Sequence, residues 1–200
     1  MGGVLQTYLD SVGERITVGT DQQDRQRWSS TVSNNASFTV QAELGPKAPG
    51  VSVGFYNASA TSPTLYEVFP SAAVSGWFAV LNFRTAPVRA VVNVFDESAS
   101  LQGTLTYLGA DRNAFGFYLH GSDGVFYTED DRNPGGQAQF IVFDGTGVNM
   151  GNWWIAGEQL SVAGGGSDQQ YFDAVLFTEP MGCSCPAQAC TWGALKERFR

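Results

Sequence analysis

The chain reads as an all-β protein, an antiparallel β-sandwich or jelly roll with a short N-terminal helix and a short C-terminal helical tail. Three observations predict this. Apolar and polar residues alternate with a period of two through most of the chain from Phe38 to Thr178, the pattern of strands with one face on a core. Clusters of Gly, Pro, Asn and Asp break that alternation at short intervals, which gives about ten short strands and points to a sandwich. Hydrophobic residues make up 43% of the chain and charged residues only 15%, a balance that suits a β-rich exported protein.

The N-terminal helix comes from Val4, Leu5, Tyr8, Leu9 and Val12, which recur at three- and four-residue steps and stop at Gly13. The first strand follows from Phe38, Val40, Ala42 and Leu44 alternating with Thr39, Gln41 and Glu43. Further strands are expected at 51–56, 65–69, 76–83, 88–95, 103–108, 114–119, 125–128, 139–143, 153–156 and 174–178. Residues 1–180 are read as one sandwich domain and 181–200 as a cysteine-containing tail. Gly54-Phe55-Tyr56 returns as Gly116-Phe117-Tyr118, and the same offset carries Phe78-Ala79-Val80-Leu81 onto Phe140-Ile141-Val142-Phe143. This permits two pseudo-repeated halves at about 37–95 and 104–178, and chance aromatic alternation permits the same pattern.

Charge and cysteine usage exclude several function classes. With 11 basic and 19 acidic residues the net charge is −8, which repels a nucleic-acid backbone. No apolar run is long enough to cross a membrane as a helix. The start lacks both regions of a signal peptide, so a leader removed ahead of Met1 is expected, with an extracellular or bacterial cell-surface location. Cys183, Cys185 and Cys190 are the only cysteines, and the body before them is indifferent to redox state.

The stretch GGGSDQQYFDAVLF, residues 164–177, sets glycines and acids against an apolar strand. Asp173 at its end can cap the entry into the strand by binding local backbone, and loop carboxylates of this kind commonly close turns. A second acidic cluster, Glu129, Asp130 and Asp131, needs either an ion or open water to relieve its like charges.

Several of these segments carry a resemblance. FGFYLHGSDGVFYTEDDRNPGG, then WWIAGEQL, then GGGSDQQYFDAVLF resemble the domain of unknown function family 4114, found in exported and surface-anchored bacterial proteins. The front half, with LQTYLDSVGERITVGTDQ, FTVQAELG and VGFYN, is similar to the N-terminal portion of proteins that carry this domain, so the resemblance spans about Val4 to Thr178. It implies a calcium-associated glycine- and aspartate-rich β domain. Carried over residue by residue, its acidic positions fall on Glu158, Asp168 and Asp173, with Gln170 standing where the family has an acid. Together with loop carbonyls these form the expected, weak calcium site, and Glu129, Asp130 and Asp131 form a weaker one.

Trp153, Trp154 and Tyr171 lie near the acid loop and would stack on sugars if their faces were exposed. Neighbouring tryptophans on a strand point to opposite faces, so at least one belongs to the core, and Trp28 and Trp77 are read as core. Glu158 and Asp173 have the chemistry of a glycosidase acid and base. The other supports of catalysis are missing, since His120 is the only histidine, no nucleophile elbow is present, and no cysteine precedes the tail. In the tail, three cysteines cannot all pair within one chain. Trp192, Leu195 and Phe199 form the apolar stripe of a short helix that needs a surface to dock on. The combined expectation is a non-enzymatic secreted or cell-surface module for assembly or adhesion, a homo-oligomer or polymer, with calcium as its one candidate cofactor. The alternatives are a carbohydrate-binding module with a polysaccharide partner and a glycoside hydrolase.

Overall fold

The computed structural model describes residues 2–30, 37–44, 50–179 and 181–183. Among these residues one α-helix, α1 (Gly3–Ser11), precedes thirteen strands: β1 (Trp28–Ser29), β2 (Ser37–Leu44), β3 (Ser52–Asn57), β4 (Leu65–Phe69), β5 (Phe78–Thr85), β6 (Val88–Phe95), β7 (Leu101–Leu108), β8 (Phe115–Gly121), β9 (Gly124–Tyr127), β10 (Phe140–Asp144), β11 (Trp153–Gly157), β12 (Ala174–Thr178) and β13 (Gly182–Cys183). They form two antiparallel sheets. The first has the order β13-β1-β8-β3-β4, with β9 also on β8, and the second has the order β10-β11-β12-β2-β5-β6-β7. The all-β sandwich predicted from the alternation is therefore the fold. Each of the eleven longer strands lies within two residues of its expected bounds.

The two-residue strands β1 and β13 were not expected, because a period cannot be read over two residues. They pair Trp28 with Cys183 and Ser29 with Gly182, bringing both ends of the body to one sheet edge. Cys183 is thus placed by its backbone. The helical tail and the expected assembly residues Cys185, Cys190, Trp192, Leu195 and Phe199 lie outside the described residues.

The main core lies between the sheets. Phe83 of β5 meets Phe55 of β3 at 5.8 Å and Phe115 of β8 at 5.4 Å between ring centroids, and Trp28 meets Phe117 at 5.3 Å. All five rings are buried, and at about 1.5–3 kcal/mol for each large apolar side chain this layer supplies much of the drive to fold.

The repeated Gly-Phe-Tyr motif has a direct role here, because its two copies pair with each other. Gly54 faces Tyr118, Phe55 faces Phe117, and Tyr56 faces Gly116 across β3 and β8. Each tyrosine lies over the glycine of the other copy. A Cβ on Gly116 would stand 2.4 Å from the Tyr56 hydroxyl oxygen, and one on Gly54 would stand 2.7 Å from the Tyr118 ring. Only glycine leaves room for this exchange. The segments Phe78–Leu81 and Phe140–Phe143 each open a three-strand meander in the second sheet, β5-β6-β7 and β10-β11-β12.

A second core lies on the outer face of the second sheet. Leu5 and Leu9 of α1, with Ile16 and Val18, cover Ile141, Phe143, Trp154, Ala156 and Val175 of β10–β12. The stripe that predicted the helix is the stripe that docks.

Candidate functional site

The acid loop is built inward, as a support for α1. Glu158 is 2% exposed; its carboxylate accepts the Ser167 hydroxyl at 2.7 Å and the backbone N–H of Tyr171. Burial pushes its pKa up, and the Asp173 and Asp168 charges add to that against the hydrogen bonds from Ser167 and Tyr171. Asp168 accepts the Gln170 N–H at 3.0 Å, a local turn bond, and Asp173 accepts the Gln159 N–H at 2.9 Å. The Gln170 side chain accepts the Val4 N–H at 3.1 Å, and the Gly2 N–H donates to the Gln169 carbonyl at 2.9 Å. Gly2 has no side chain to cap α1, so the loop caps the helix from across the chain. Gln169 and Tyr171 take positive φ of 54° and 52°, a strained choice at about 1–3 kcal/mol each that tight surroundings must hold. The Tyr171 hydroxyl on the Ala138 carbonyl at 3.2 Å is one such restraint.

Glu158, Asp168, Gln170 and Asp173 all lie in the segment that joins β11 to β12. Among the described residues no group of three or more His, Cys, Asp or Glu side chains is placed to hold a metal ion.

The expected stacking rings are placed differently from the sugar reading. Trp153, Trp154 and Tyr171 are only 7%, 5% and 2% exposed. Trp153 belongs to the main core, with the Arg25 guanidinium 4.2 Å from its ring centre, and Trp154 belongs to the second core. Both faces of β11 are covered, so the adjacent tryptophans enter two cores and neither offers a platform.

Sequence reasoning missed Glu14, which fixes the N-terminal segment to the sheet. It is 5% exposed. Its carboxylate accepts the Thr146 N–H at 2.7 Å, the Thr146 hydroxyl, the Asn149 side chain at 2.7 Å and the Trp154 indole N–H at 2.8 Å. Burial pushes its pKa up, but these donors together outweigh burial and the net direction is down. A lone acid after Gly13 carries no local sign of partners more than a hundred residues away.

Glu129 is likewise structural. It is 4% exposed and holds Arg27 through Nε at 2.7 Å and Arg132 through Nε at 2.7 Å. Arg132 also donates to the carbonyls of Ala58, Ala60 and Thr61, tying the loop over the outer face of the first sheet. Asp130 accepts from Gln26 at 3.0 Å. Burial, then the Asp24 and Asp131 charges, push its pKa up. Asp131 faces solvent. Asp24 and Asp130 line a cleft of about 270 Å³ between residues 22–26 and β10. The Gln23 N–H donates to the Val142 carbonyl at 2.8 Å, so this segment covers the free side of β10.

The other end of the second sheet is more open. The outward residues of β5 and β6, among them Val80, Asn82, Val91 and Asn93, are half-buried, and Thr104 and Thr106 of β7 are exposed. Val88, Leu101 and Leu108 are 50%, 57% and 71% exposed. β7 is the last strand of the sheet order, and among the described residues no backbone group pairs with its outer side. Its sequence, LQGTLTYL, contains no charge and no proline, the residues that ordinarily protect an edge.

Comparison with protein-family models, with curated proteins and with solved structures found no match. These comparisons give no support to the resemblance to family 4114 expected from the motif residues.

Proposed function

We propose that the chain is a non-enzymatic structural module of an exported or cell-surface assembly, joined to its neighbours through sheet. The observation that carries the reading is the more open β5–β7 meander, with an uncharged edge strand eight residues long and three exposed large aliphatic side chains beside or on it. Glu158, Trp153, Trp154 and Tyr171, which an enzyme or a sugar-binding site would present, are instead buried in internal contacts. Glu158, which a hydrolase would need at a cleft, is buried under its own loop. The low charge content supports placement outside the cell, and the odd cysteine among Cys183, Cys185 and Cys190 would add a covalent link between chains.

Sedimentation velocity over a wide concentration range tests the reading. Mass should rise with concentration, without added glycan. A single monomeric species at every concentration, with only monomer on non-reducing gels, would overturn it.

A further inference from the structure

Resting on that assembly reading, we infer that β7 pairs antiparallel with β7 of a second copy about a two-fold axis at Leu105, extending the second sheet across two molecules. The hydrogen-bond phase of the edge comes first. The Gly109 N–H donates to the Val88 carbonyl at 2.9 Å, and Arg89 lies opposite Leu108. Antiparallel ladders alternate bonded and non-bonded pairs. Residues 103, 105 and 107 therefore turn their backbone groups to β6, and 104, 106 and 108 turn theirs outward. The ladder's one irregularity lies at Val94/Phe95, so the outward groups of 104–108 stand in regular sequence.

A perpendicular two-fold keeps the faces of both sheets on the same side, so opposed residues must share a face. Centring the axis on Leu105 sets Thr104 opposite Thr106 of the second copy, and Thr106 opposite its Thr104, each pair exchanging both N–H···O bonds. Threonine pairs of this kind favour sheet formation. On the inner face Gly103 meets Tyr107 of the second copy. No atom lies within 4 Å of where a Cβ on Gly103 would stand, so the tyrosine meets open space.

Charge selects the antiparallel direction and the occupant. Arg84 and Arg89 lie opposite one another at the β5–β6 turn, beside Leu108. Asp96 and Glu97 follow β6 at the other end, where Gln102 donates to Asp96 at 2.6 Å. Two copies related by the axis place the basic end of each beside the acidic end of the other. A parallel arrangement would set like ends together, which repels at close range.

The test is sedimentation of the intact protein and of two double variants. Thr104→Lys with Thr106→Lys puts lysine opposite lysine twice and should weaken association about tenfold or more. Thr104→Lys with Thr106→Glu puts lysine opposite glutamate twice and should restore it. Unchanged melting temperatures will show that the fold is intact. In the unaltered protein, amide exchange at Thr104, Thr106 and Leu108 should slow as concentration rises, whereas Gly103, Leu105 and Tyr107 stay protected throughout. If the chain associates but the lysine pair has no effect, or exchange at the three outward amides ignores concentration, this pairing is wrong and assembly uses another surface. If the protein never associates, the assembly reading falls with it.

Discussion

The two meanders of the second sheet have the same up-and-down plan and opposite fates. β10–β12 carry apolar residues on both faces, and α1 covers the outer one. In β5 and β6 it is burial that alternates, with Ala79, Leu81, Phe83, Ala90, Val92 and Val94 buried and the residues between them, Val80 and Val91 included, left partly open. The difference teaches that coverage is set by what packs over a strand and not by the strand's own pattern alone. FAVL of β5 is as continuously apolar as FIVF of β10, yet only the second is buried on both faces, because Leu5 and Leu9 of α1 pack on Ile141 and Phe143.

The largest effects that sharpen this contrast lie under the helix. Trp154→Ala should cost about 3–5 kcal/mol in urea denaturation, because it opens the second core, whereas Val91→Ala on the more open face should cost below about 1 kcal/mol. Equal losses at the two sites would remove the distinction. Next in size, Glu14→Ala leaves the Trp154 indole and the Thr146 and Asn149 donors unpaired, a loss of about 2–3 kcal/mol.

The pH dependence of Glu14 has a fixed sign. Its folded pKa lies below the ordinary value of 4.5, so its contribution is fully present above that value and is lost as pH falls through the folded pKa. Melting curves of the native chain and of Glu14→Gln should therefore converge in acid. Gln170→Ala removes the remote cap on α1 and should cost about 0.5–1 kcal/mol, with faster amide exchange at Val4 as the local readout. The smallest effect is expected at Glu158, and its sign is opposite to that of Glu14. Burial raises its folded pKa above 4.5, so its stabilising contribution is present below that value and is lost as pH rises through the folded pKa. Glu158→Gln should gain stability relative to the native chain as pH rises, and a gain only in acid would contradict the assignment.

The strands were legible because alternation and turn residues are local signals, and Leu65–Phe69, Val88–Phe95 and Ala174–Thr178 fall on their expected bounds. The acid loop was legible as a place. Its role was not, since Gln170 acts on Val4 across the whole domain. Glu14 and the β1–β13 pairing were hidden for the same reason, being defined by distant partners. The exposure of Trp153 and Trp154 was beyond a period-two reading, because a strand covered on both faces has no wet side. The edge position of β7 depends on sheet order, which alternation does not encode.

The clasp between α1 and the acid loop also bears on the order in which the molecule matures. The Val4 to Gln170 bond spans 166 residues, and Glu14 reaches 140 residues ahead to Trp154. During synthesis α1 emerges well before the strands it docks on. The second core is thus the late-closing part of the fold, since long loops must be ordered before such contacts form. Until it closes, Ile141, Phe143 and Trp154 remain open to solvent and to any chaperone that reads apolar strands. Pulse-labelled exchange should show amides of β3 and β8 protected before those of α1. The reverse order would mean that the helix is captured early and the sheet grows beneath it.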